Sequence, residues 1–100
     1  NDPMARSAIA FFNERGIKVP EEISVLGFDD DAAATMTNPP LSTVHVEREQ
    51  MAKLAFDVLH RRIQGSEVPP AQIISNVKLV IRESTDFNRK HERDKTFLAR

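Results

Sequence analysis

The sequence predicts an α/β fold, and three observations predict it. An amphipathic helical pattern at 3–15 is followed, after a short loop, by a nearly continuous apolar run at 23–28. A second helical pattern at 47–64 lies between two further strand-like runs, at 41–46 and 72–82. Helix, short loop and apolar strand in that order form the αβ half of a βαβ unit. A nearly continuous apolar run suits a parallel sheet covered on both faces.

Each element has a local cause. Asp2-Pro3 reads as a helix start, an acidic N-cap followed by proline at the first helical position, where its missing N–H costs nothing. Met4, Ala5, Ala8, Ile9 and Phe12 then recur at three- and four-residue spacing, and Gly16 after Arg15 supplies a left-handed C-terminal stop. Val19-Pro20-Glu21-Glu22 reads as a turn. Residues 31–36 are expected to form a helical turn capped by Asp30, and Asn38-Pro39-Pro40 is held extended by its two prolines. The second helix carries Met51, Leu54, Ala55, Val58, Leu59 and Ile63 on one side and stops at Gly65. Val68-Pro69-Pro70 is a second rigid connector, and 72–82 reads as one or two strands. From Asn88 onward the charged run lacks apolar periodicity and is expected to be a solvated tail.

Composition narrows the classes. With 40% hydrophobic and 29% charged residues, the 100-residue chain suits one small globular domain or part of a larger one, not a disordered segment. A net charge of −1 gives no basic surplus for nucleic-acid binding by these residues. The absence of cysteine removes disulfides and thiolate metal sites. No apolar run approaches the roughly 18 residues that span a bilayer, so no membrane partner is expected. The chain opens Asn-Asp-Pro without an initiator Met and reads as an excerpt.

The chemistry concentrates in Asp29-Asp30-Asp31, three adjacent carboxylates at the end of an apolar strand. Only three glycines occur, at 16, 27 and 65, which excludes a P-loop and a dinucleotide fingerprint. His45, His60 and His91 lack a second histidine at helical metal spacing and are read as structural or surface residues. Three readings of the acidic triplet stay open. Asp30 caps a helix while its neighbours are solvated; or Asp29, at a strand's carboxyl end, accepts hydrogen bonds from the hydroxyls of a polyol; or the carboxylates hold Mg²⁺ beside a phosphate.

Four segments in order carry a family resemblance: NDPMA at 1–5, RGIKVPEEISVLGFDD at 15–30, PPLSTV at 39–44 and IREST at 81–85. Together they resemble the C-terminal part of the effector-binding domain of LacI/GalR bacterial transcriptional regulators, over about 1–86. The resemblance implies a fragment of a two-lobed periplasmic-binding-protein-like fold, with a parallel sheet flanked by helices. Residues 1–44 would belong to the C-terminal lobe, 45–76 would be a helix and connector of the N-terminal lobe, 77–87 would return as a strand, and 88–100 would be the charged tail.

It further implies that Asn1, Phe28 and Asp29 contact a sugar or similar small effector in the inter-lobe cleft, with Asp30 and Asp31 capping or solvated. Homodimerisation through 3–15 and 35–40, contact with operator DNA through a helix-turn-helix domain outside this chain, and a cytoplasmic location complete that expectation. No catalytic residue, cofactor or metal is implied, and the chain is not expected to be an enzyme. The competing classes are a periplasmic sugar-binding transport protein and a Mg²⁺-dependent phosphotransfer enzyme built on 29–31. Helix 47–64 is expected to expose its apolar row, Met51, Leu54, Val58 and Leu59, unless another surface covers it.

Overall fold

The structure, a computed structural model, describes residues 1–70 and 72–85. The expected tail at 88–100 lies outside them. The elements run α1 (Asp2–Glu14), a 3-10 helix (Ala32–Met36), β1 (Thr43–Val46), α2 (Arg48–Ile63) and β2 (Val77–Val80). The chain divides into two compact units, one of Asn1–His45 with the chain from Leu79, the other of Val46–Lys78.

In the first unit, α1 turns Ala5 and Ile9 inward and lays Phe12 against the same cluster, as the 3.6-residue period requires. Val19, Val25, Ala34 and Leu41 complete this core. Ile9 and Leu41 are fully buried, each contributing roughly 1.5–3 kcal/mol of hydrophobic stabilisation. The helix ends as its glycine predicts. Gly16 has φ 69°, its N–H donates to Asn13 O, and the Ile17 N–H donates to Phe12 O, so the last carbonyls are satisfied by a left-handed cap.

The start of α1 departs from expectation. Asn1 is the N-cap, its Oδ1 accepting the Met4 N–H at 3.2 Å, while Asp2 lies inside the first turn and is fully buried. Asn and Asp are near-equal caps, and the choice follows from what Asp2 reaches elsewhere: its carboxylate accepts the Thr43 hydroxyl and the Asp31 N–H.

The run at 23–28 also differs. It is extended and joined to the β1 region by two isolated parallel bridges, Leu26 to Ser42 and Asp29 to His45, without forming a regular strand. Its partners change along its length. Val25 N–H donates to Ser84 O, Gly27 N–H to Ser42 O and Asp29 N–H to Val44 O, while Phe28 O accepts the Asp2 N–H of α1. Val25 and Gly27 face inward, whereas Leu26 and Phe28 are 52% and 47% exposed, so one face is covered instead of the two expected. Likewise only Val77–Val80 of the run 72–82 is strand, and it pairs with β1.

A compact polar knot closes this unit. Ser84 Oγ donates to Val25 O and accepts the Ser42 N–H, and Ser42 Oγ donates to Arg82 O and accepts the Arg82 N–H. Ser42, Thr43 and Ser84 are fully buried, and among the described residues no buried side-chain polar atom lacks a partner.

In the second unit, α2 closes on Gly65 (φ 80°), with Gly65 N–H to Arg62 O and Ser66 N–H to Arg61 O. The residues of α2 are exposed or half-buried. Met51, Leu54 and Ala55 line a hollow of about 210 Å³ with Ile73 and Ser75. Lys78 lies 3.5 Å from Glu47, an exposed pair of small energetic weight.

Candidate functional site

Asn1, Phe28 and Asp29 come together in the first unit through one backbone contact, the 2.9 Å hydrogen bond from Asp2 N–H to Phe28 O. This bond sets the first peptide of the chain beside the peptide that joins Phe28 to Asp29. Asp29 stands at the carboxyl end of the extended segment, level with His45 on β1. Its own N–H is held by Val44 O at 2.8 Å, and its φ of 118° turns the chain sharply there.

The three adjacent carboxylates have different fates. Asp30 Oδ1 accepts from Arg82 Nη2 at 2.7 Å, and Asp30 Oδ2 lies 2.9 Å from His45 Nδ1. The Arg82 hydrogen bond, opposed by burial and assisted by His45, holds the Asp30 carboxyl below the ordinary aspartate range. Asp31 Oδ1 lies 3.4 Å from Arg6 Nη1, and its N–H donates to Asp2. Asp30 and Asp31 are therefore ion-paired, contrary to the capping or solvated roles expected of them. Asp31 occupies the N-cap position of the 3-10 helix, but its side chain makes no capping bond. The Asp29 carboxylate has no hydrogen bond or ion pair among the described residues and is half-buried.

This arrangement offers complementary polar groups. The Asn1 Oδ1 is engaged in capping, which leaves its amide N–H₂ to donate. The Asp29 carboxylate can accept, and Phe28, next in sequence, is exposed. Donor, acceptor and aromatic face suit a ligand rich in hydroxyls. With two of the three carboxylates engaged by arginines, the triplet is a poor cage for a hard cation, which needs several free oxygens. Among the described residues no group of three or more His, Asp or Glu side chains converges as a metal site would require.

Residues with no expected site role build this site from behind. Asp2, a cap by its sequence position, is a buried acceptor in the structure. Arg82, Ser42 and Ser84 belong to the segments PPLSTV and IREST that carry the resemblance, and they tie the segment at 25–30 to β1. For Ser42 and Arg82 the available signal is a polar residue inside a strand-like run, and Ser84 lies beyond both runs.

The family of periplasmic binding protein-like domains matches residues 1–85. The chain belongs to that family. Its curated relatives place it with the LacI/GalR regulators. It is 41% identical over 85 residues to the HTH-type transcriptional regulator GalR of Lacticaseibacillus casei, covering 85% of this chain and 26% of that protein. It is 36% identical over 89 residues to the HTH-type transcriptional repressor PurR of Photobacterium profundum, covering 88% and 27%. The chain thus spans about a quarter of the length of the curated relatives it matches.

Among solved structures, it is similar to a periplasmic binding protein/LacI transcriptional regulator from Alkaliphilus metalliredigens complexed with D-xylulofuranose. The TM-score is 0.80 at 30% identity, over 86% of this chain and 32% of that one. It is also similar to the lac repressor dimer bound to operator and an anti-inducer, with a TM-score of 0.75 at 34% identity over 85% and 29%. The fold class is α/β of the periplasmic-binding-protein type, as the sequence predicts.

Proposed function

We propose that this chain is the effector-contacting portion of a LacI/GalR-type transcriptional regulator, and that Asp29, Asn1 and Phe28 hold a sugar or similar polyol. The observation that carries this reading is the Asp29 carboxylate, which has no partner among the described residues while both acidic neighbours are paired. A charge-assisted hydrogen bond from a ligand hydroxyl to such a group contributes roughly 1.5–3 kcal/mol. The relative complexed with D-xylulofuranose supports a sugar, and the lac repressor dimer on its operator supports a homodimer that acts on DNA through another domain. On this reading residues 1–44 and 77–87 serve one lobe and 45–76 the other, and the protein works in the cytoplasm. Among the described residues no helix is long and apolar enough to cross a membrane.

The test is thermal-shift screening of the full-length gene product with D-xylulose, D-galactose and hypoxanthine, followed by calorimetry of the stabilising ligand. Asp29→Ala should weaken binding about 10- to 100-fold, the equivalent of one charge-assisted hydrogen bond. An unchanged affinity removes Asp29 from the site.

A further inference from the structure

Two successive residues with side chains, Asp29 (φ 118°) and Asp30 (φ 55°), occupy the left-handed half of backbone space. Residues other than glycine enter it rarely, and such conformations persist only where the surroundings fix them. Here the fixing groups come from far along the chain. The Arg82 guanidinium donates through Nη2 to Asp30 Oδ1 at 2.7 Å and through Nη1 to Leu41 O at 2.9 Å. Its own backbone N–H is held by Ser42 Oγ at 2.7 Å. The two N–H groups of one rigid planar fork thus join the turn at 29–30 to the start of the β1 region. Both side chains are largely covered, 20% exposed for Arg82 and 17% for Asp30, so solvent competes weakly for the pair.

We propose that Arg82 and Asp30 are a positioning pair for Asp29: the guanidinium clamps the second residue of the left-handed turn, and through their shared peptide this fixes where the first residue aims its carboxylate. His45, 2.9 Å from the other Asp30 oxygen, keeps that carboxylate from rotating away. Neither Arg82 nor Asp30 touches the effector on this account. Their contribution is that Asp29 waits in its binding orientation and does not have to be ordered when the ligand arrives. The inference rests on the reading that Asp29 holds the effector, and the test below separates the two.

The full chain labelled with ¹³C,¹⁵N-aspartate and ¹⁵N-isoleucine is compared as wild type, Arg82→Gln, Arg82→Lys and Asp30→Asn. The one-bond Cα–Hα coupling of Asp29 reports its positive φ, and amide exchange at Asp29 is referred to exchange at buried Ile9. In Arg82→Gln the Asp29 amide should exchange about tenfold faster relative to Ile9, with the coupling moving toward ordinary extended values. Arg82→Lys keeps the charge without the fork and should recover part of the order. A purely structural role would speed Asp29 and Ile9 by one common factor, and that result overturns the proposal, as does an Asp29 signal unmoved in every variant. Should Arg82→Gln fail to fold, Asp30→Asn and Arg82→Lys decide on the same readout.

Calorimetry with D-xylulose on these chains and on Asp29→Ala forms the second arm. Loosening of Asp29 with an effector affinity indifferent to Asp29→Ala upholds the positioning relation and defeats the binding role. The converse, an affinity that depends on Asp29 with the turn unmoved by Arg82→Gln, defeats the positioning relation alone.

Discussion

The carboxylate of Asp2 occupies the space into which a side chain on Gly27 would project. A Cβ built on Gly27 collides with Asp2 Oδ1 and comes within 2.9 Å of Leu41 Cδ2, both groups being fully buried. The smallest residue and a charged one are therefore paired across the junction of α1 with the segment at 25–29. Gly27→Ala should destabilise the fold by about 1–3 kcal/mol, the usual range for overpacking a filled interior. Gly16, whose φ is 69° but whose Cβ position is open, should cost about 1 kcal/mol as Gly16→Ala. Urea denaturation of the two variants checks the order, and equal costs would contradict the packing argument.

Removing the other partner should cost at least as much. Asp2→Ala leaves the Thr43 hydroxyl and the Asp31 N–H without their acceptor inside the protein. An unpaired buried donor costs about 1–3 kcal/mol, and the Asp31 N–H is only part-buried and loses less, so the loss should reach about 2–4 kcal/mol. Asn1→Ala removes only a helix cap and should cost about 1 kcal/mol. The same urea titrations compare them.

Asp30 makes stability depend on acid. Its carboxyl is held below the ordinary aspartate value by the Arg82 hydrogen bond, so the folded state binds that proton less readily than the unfolded chain. The contribution is fully present above about pH 4, the unfolded aspartate value, and is lost as pH falls through the lowered folded value. In Asp30→Asn this part of the acid sensitivity should vanish, leaving a shallower stability profile below pH 4. Denaturant midpoints measured between pH 6 and 2.5 test it, and identical slopes for the two proteins would refute it.

How much of this was legible in the sequence depends on how far each cause reaches. Both helices follow from local spacing and from glycines that stop them, and Gly16 and Gly65 behave as their positions require. The role of Asp2 was not local. Asn1 and Asp2 are interchangeable as caps, and a hydroxyl 41 residues away at Thr43 decides between them. The segment at 25–29 lacks a single partner strand, because Ser84, Ser42 and Val44 each take one of its N–H groups. The acidic triplet was conspicuous from its composition. Which of its members lacks a partner among the described residues is decided by Arg6 and Arg82, at 25 and 52 residues' distance, and no short-range pattern carries that information.

Asp29 is held in an unfavourable backbone conformation, with φ 118°, and we propose that its carboxylate is the reason. Replacing Asp29 with glycine removes the backbone cost, about 1–3 kcal/mol for a side-chain-bearing residue in that region, together with the carboxylate. The decisive measurement is therefore unfolding free energy and effector affinity taken side by side on wild type and Asp29→Gly. Stability should rise by about 1 kcal/mol while affinity falls about tenfold or more. A variant that loses stability and binds the effector as tightly as wild type would contradict the account.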